Sequence, residues 1–366
     1  MSGDIILVIV ILTALAFDLT NGFHDTANVV ATAISTHALP ARAAVTVASL
    51  LNFAGAFISL KVADTVGKGF VDTHAVTTTV VFAGLVGAIA WNIITWYFGL
   101  PSSSSHALIG GLVGSTAAAS GFGAVDGGGL LGNLIVPAIA APIIAFLTAG
   151  VSILLVYRIV GRLRPGPTSR GFRLGQLASS GLLSLSHGTN DAQKTMGVIT
   201  LALVAHGSIS AAAFHVPAWV IVASATAIAV GTFSGGWRII RTLGTRIVTM
   251  DPAQGFAAQG AGAAVILAAS SVGYPLSTTH VISGGIMGAG AGKRASAVRW
   301  GVAGNIVTGW VLTLPAAALF GAAIDLLSGL FGHGAAGPLV ITVLLLAGLV
   351  VVFARRAQQA AAPAAP

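Results

Sequence analysis

Two polar runs, Pro101-Ser102-Ser103-Ser104-Ser105-His106 and Pro275-Leu276-Ser277-Thr278-Thr279-His280, are the parts of this sequence best suited to hold an anion. Proline stops an incoming helix, and the serines and threonines after it start an outgoing one. A helix start leaves backbone N–H groups without intrahelical acceptors and carries the positive end of the helix dipole. The hydroxyls of Ser103, Ser104, Ser105, Ser277, Thr278 and Thr279 add further donors. Each run is therefore a candidate oxyanion site that needs no lysine or arginine. The plainer reading is that these hydroxyls only cap helices. Two copies in one chain weigh against it.

A second pair of motifs carries charge. Asn21-Gly22-Phe23-His24-Asp25-Thr26-Ala27-Asn28 aligns with His187-Gly188-Thr189-Asn190-Asp191-Ala192-Gln193-Lys194. Asp25 and Asn28 are three residues apart and share a helix face. Their oxygens are hard ligands suited to a small cation or a proton. A carboxylate beside an oxyanion would repel it unless a cation lies between them or the carboxyl is protonated. Asp25, Asn28 and Asp191 are thus candidates on both counts, with His24, Asn190 and Lys194 in the coupling-ion set. Lys194 stands where the other copy has Asn28. Its ammonium can fill the space of an exchangeable cation, which favours a proton over sodium as the driving ion. The competing reading is a structural ion pair between Asp191 and Lys194. His106 and His280 either relay protons or fix the proline-containing bends.

These motifs need elements that live in a bilayer. Of 366 residues, 55% are hydrophobic and 7% charged, against roughly 25% charged in soluble domains. Apolar runs of about 20 residues, the length of a hydrocarbon crossing, recur at 4–35, 43–61, 76–100, 130–156, 174–205, 214–236, 257–274, 300–325 and 338–354. Shorter apolar pieces, 107–119 and 281–291, follow the two proline runs and read as return arms of re-entrant hairpins. Motifs recur in the same order, together with Gly110-Gly111 and Gly284-Gly285, which marks an internal duplication. With the hairpins re-entrant, fourteen Lys and Arg fall on one side and only Lys61 and Lys68 on the other. Short cytoplasmic loops collect positive charge, so the N-terminus is placed outside and the halves come out inverted. The expected division is a first repeat over 1–157, a basic cytoplasmic linker over 158–173, a second repeat over 174–325, and an extra span with a polar tail over 326–366. The fold class is all-α polytopic membrane protein, with two inverted-topology repeats, re-entrant hairpins and broken helices.

Other classes fall away. The chain has no Cys, which removes disulfides, thiolate metal sites and cysteine nucleophiles. A net charge of +8 reflects basic loops and not a nucleic-acid partner. The apolar N-terminal stretch has no basic residue before it and runs directly into the Asp25 motif, so a cleaved signal peptide is not expected. The remaining aspartates, Asp18 among them, are assigned to loops or span ends.

The motifs around Asp25, Asp191, Pro101–His106 and Pro275–His280 resemble those of the inorganic phosphate transporter family called PiT, over essentially the whole chain. The resemblance implies cation-coupled symport of inorganic phosphate across the cytoplasmic membrane. Asp25, Asn28, Asp191, Ser103–Ser105 and Ser277–Thr279 would line the site. It implies no catalytic residue and no cofactor. A proton or sodium ion is the coupling partner, the bilayer the surrounding solvent, and a homodimer is left open. Lys194 departs from the symmetric family pattern and resembles the bacterial low-affinity branch. The rival readings are a sulfate symporter of the same fold and an intramembrane hydrolase or phosphotransferase.

Overall fold

The computed structural model describes residues 2–160, 165–332 and 334–361. Arg162 and Arg164 of the basic segment, and tail residues 362–366, lie outside the described residues, as do the side chains of Arg355 and Arg356. Helices dominate, as they must where backbone polar groups have no water to bond. The first half contains α1 (Ser2–Ser35), α2 (Ala41–Gly55), α3 (Lys61–Lys68), α4 (Thr78–Phe98), α5 (Ser104–Ser120) and α6 (Gly127–Val160). The second contains α7 (Pro165–His206), α8 (Ala218–Ser234), α9 (Trp237–Arg246), α10 (Pro252–Ser271), α11 (Thr278–Lys293) and α12 (Trp300–Gly329). One more helix, α13 (Ala336–Ala361), follows. Among the described residues, four helices (within α1, and α4, α6 and α12) are long and apolar enough to cross a membrane. The α8–α9 pair, bent by 60°, makes a fifth if it is one span.

The halves interlock by repeating the same pairings. α1 packs on α8 as α7 packs on α2, and α5 packs on α12 as α11 packs on α6. The α4–α5 and α10–α11 hairpins fold back on themselves. Glycine permits these crossings. A Cβ on Gly22 would lie 2.4 Å from the Ile228 carbonyl oxygen, and one on Gly188 would lie 2.1 Å from that of Asn52. Gly114 meets the Ala318 carbonyl, and Gly288 meets that of Phe146, each at 2.0 Å by the same measure. Small residues that let helix backbones touch are how membrane helices gain packing energy without a hydrophobic driving force between them.

The polar motifs interrupt the apolar runs but not the helices. α1 passes unbroken through Asn21–Asn28, and α7 through His187–Lys194. Asp25, Asn28, Asp191 and Lys194 all find buried side-chain partners without the backbone opening. The breaks come elsewhere. Gly99, left-handed at φ 65°, ends α4 just before Pro101. Gly235 and Gly236 separate α8 from α9.

The basic segment 158–173 is expected as a loop, yet its described parts are helical. Arg158 ends α6, and α7 begins at Pro165. At 42 residues α7 is ~63 Å long, twice a hydrocarbon core. Proline at a helix start is tolerated because its missing N–H has no partner there.

On this basic side Asp251 caps α10. Its carboxylate accepts from the Gln254 N–H at 2.9 Å, while the Gln254 side chain accepts from the Asp251 N–H at 3.0 Å. The Tyr157 hydroxyl donates to Asp251 at 2.7 Å and the Lys293 ammonium at 2.9 Å, tying α6, α10 and α11 together. Partial burial alone would raise this carboxyl, but the donors outweigh it and hold it below its usual range.

Candidate functional site

Both hairpin tips turn into helix starts, and the first hydroxyl of each is spent as a cap. Ser103 accepts from the His106 N–H at 3.1 Å, and Ser277 accepts from the His280 N–H at 3.3 Å. The two residues after each cap, Ser104 and Ser105 on α5 and Thr278 and Thr279 on α11, have N–H groups with no intrahelical acceptor. All six side chains are buried. The Ser104 hydroxyl has no partner among the described residues.

α1 and α7 deliver their motifs to these tips. Asn28 donates to the Thr279 hydroxyl at 2.9 Å and lies 3.3 Å from that of Thr278. Its own carbonyl oxygen is buried and, among the described residues, has no partner. Thr278 donates to Asp191 at 3.1 Å and makes a longer contact of 3.5 Å to Asp25, while Thr279 lies 3.4 Å from Asp25. His24 sits 2.7 Å from Asp25, and His187 sits 2.8 Å from Asp191. Ligand atoms of Asp25, His187 and Asp191 all fall within 4.8 Å of one another. Asp25, Asn28, Asp191, Thr278 and Thr279 thus meet in one buried cluster, with His24 bonded to Asp25, while Ser103 and Ser277 bond their own helix starts.

Lys194 is fully buried in this cluster. Its ammonium donates to the Asp191 carboxylate, to the Ser105 hydroxyl and, at 2.7 Å, to the Leu276 carbonyl. Those three bonds use all three ammonium donors. A carboxylate, a hydroxyl and a carbonyl are also the oxygen set that a small bound cation would take. Asn190 stiffens the same corner, donating to the Leu276 carbonyl at 2.7 Å and to Asp191 at 3.1 Å.

His106 and His280 pack against each other. Their rings meet edge-on at 4.7 Å, and His280 stacks on Trp310 at 4.1 Å. Trp310 in turn donates to the Pro101 carbonyl at 3.2 Å. This contact set joins the two hairpins to each other.

Three further contributors were not singled out from sequence. Asp18, assigned there to a loop or span end, is fully buried within α1. The signal was present: positions 18, 21, 25 and 28 share one helix face. Ser102 bonds Thr95 at 2.8 Å and lies 3.3 Å from His24. Asn52 lies 3.2 Å from His187.

Comparison with known proteins identifies the family and the fold. The profile described as "Phosphate transporter family" matches residues 21–171 and 162–321. A protein of Mycobacterium tuberculosis named "Probable low-affinity inorganic phosphate transporter" is 54% identical over 317 residues, covering 87% of this chain and 76% of its own length. A Bacillus subtilis protein of the same name is 44% identical over 320 residues, covering 87% of this chain and 96% of its own. A solved structure titled "The sodium-dependent phosphate transporter" superposes with a TM-score of 0.75 at 24% identity, over 88% of this chain and 98% of that one. The fold is thus that of a known multi-pass transporter, and the relatives are transporters and not enzymes. On its sequence, over both halves, the chain belongs to the phosphate transporter family.

Proposed function

We propose that this protein takes up inorganic phosphate across the cytoplasmic membrane by cation-coupled symport, with a proton as the driving ion. The anion would sit between the N-terminal turns of α5 and α11, and the two inverted halves would rock around it. Its ligands would be the N–H groups and hydroxyls of Ser104, Ser105, Thr278 and Thr279, with Asp25, Asn28 and Asp191 facing it. Ser103 and Ser277 would act through their backbone, since their hydroxyls are caps. The N-terminus would lie outside, as the basic loops imply.

Carboxylates at the site favour phosphate over sulfate. Near neutral pH phosphate keeps a proton to donate to Asp25 or Asp191, and sulfate has none. A buried acceptor left unpaired by the wrong ligand gives strong discrimination. Carboxylates facing the site would repel an incoming anion, so positive charge would enter with it.

The observation that carries the coupling assignment is Lys194. Its ammonium already occupies the Asp191 half of the cluster, coordinated as a cation would be. A tethered cation is not transported, so one exchangeable metal position is missing there. The test is Lys194→Asn, which restores the symmetric ligand. Proton-driven phosphate uptake should weaken and sodium sensitivity appear, with tenfold excess sulfate leaving uptake by the unaltered protein intact. Unchanged coupling in the variant would remove Lys194 from the mechanism, and strong sulfate competition would point to the sulfate reading.

A further inference from the structure

The bend between α8 and α9 creates a basic pocket away from the carboxylate cluster. α9 turns by 60° from α8 and carries Arg238, Arg241 and Arg246, which line a cavity of about 220 Å³ with Tyr97, Phe98 and Thr242. Among the described residues no carboxylate lines this cavity and none of the three arginines forms an ion pair. The nearby basic-side acid Asp251 is already engaged by Lys293. Three guanidinium groups around one cavity without a counterion call for an anionic ligand.

Surroundings identify the source of that anion. Phe98 is 68% exposed, Phe233 61%, Tyr97 51% and Trp237 51%. Aromatic and apolar side chains this exposed beside a cluster of arginines mark the water–lipid interface. A helix bent out of the span direction can lie along that interface, where anionic headgroups are concentrated.

The pocket also touches the transport hairpin. Arg238 donates to the Tyr97 carbonyl and Thr242 donates to the Gly99 carbonyl at 2.9 Å, which caps the end of α4. Arg238 is further held over the rings of Tyr97 and Trp96, at 4.9 and 5.5 Å. We propose that Arg241 and Arg246, with Arg238, bind the phosphodiester headgroup of an anionic phospholipid, and that the bound lipid braces α9 against the first hairpin. This inference rests on the membrane fold and not on which anion is carried.

The experiment uses the full chain, purified in a neutral detergent, with phosphatidylglycerol as the probe and phosphatidylcholine as the control. Native mass spectrometry counts retained lipids, and thermal unfolding reads their effect. Wild-type protein should retain phosphatidylglycerol selectively and melt at a higher temperature with it. The exposed double variant R241Q/R246Q, which spares the Arg238 cap, should bind it at least tenfold more weakly, and R241K/R246K should keep part of the affinity. Inorganic phosphate should not displace the lipid. Equal retention by wild type and R241Q/R246Q would overturn the proposal. Displacement by free phosphate would overturn it as well, because the pocket would then be an anion site of the transport path. Loss of phosphate transport activity alone bears on neither result, which keeps this test separate from that of the proposed function.

Discussion

At the scale of single residues, hydrogen bonding separates the caps Ser103 and Ser277 from the hydroxyls proposed as ligands. Ser103 and Ser277 are caps, so alanine at either should cost about 1 kcal/mol of stability and leave the ligand hydroxyls in place. Ser104 and Ser105, or Thr278 and Thr279, are different. Ser104→Ala or Thr278→Val should weaken phosphate binding by about 1.5–3 kcal/mol, roughly tenfold or more, the cost of one hydrogen bond to a charged group. Calorimetry on purified variants reads this directly, and unchanged affinity in all of them would leave these hydroxyls as structural. Asp25→Asn and Asp191→Asn should each abolish most uptake while the protein still inserts and folds. If Asp191→Asn instead yields no folded protein, the pair with Lys194 is structural, because removing one partner of a buried pair strands the other.

At the scale of elements, most of the site was legible because its chemistry repeats. Aligning Asp25 with Asp191 and Pro101 with Pro275 was enough to name residues that lie in four different helices and meet in one cluster. What the sequence did not disclose was the backbone at those motifs. A polar stretch in an apolar run looks like a break, but α1 and α7 continue through it, and Thr278 and Thr279 of the second hairpin bond the motif side chains. Those partners are far away in sequence. Asp18 was missed for a related reason: a lone acid near the start of a run looks like a span end until the depth of α1 is known. The α8–α9 bend, in contrast, is written locally in Gly235-Gly236.

The Asp251 junction makes a testable claim at this same scale. Its folded carboxyl sits below the usual range, so its ionised form stabilises the native state. That contribution is fully present above the unfolded value of about 3.9 and is lost as pH falls through the lower folded value. Asp251→Asn should therefore lower the unfolding temperature at neutral pH, and the gap to wild type should close on acidification. Melting curves across pH 3–7 check this; a gap that does not change with pH would mean the charge contributes nothing.

At the scale of the whole molecule, the interlocked pairings place one buried cluster between two related halves, as alternating access requires. Each half supplies one carboxylate and one helix start, but only the second supplies Lys194. On the proposed reading, that asymmetry would separate a proton-driven carrier from one with two equivalent metal positions. The most direct measurement is phosphate uptake into proteoliposomes under an inward proton gradient without sodium, compared with an inward sodium gradient at uniform pH. The account predicts uphill phosphate accumulation in the first condition and little or none in the second. Accumulation that follows the sodium gradient and ignores the proton gradient would contradict it.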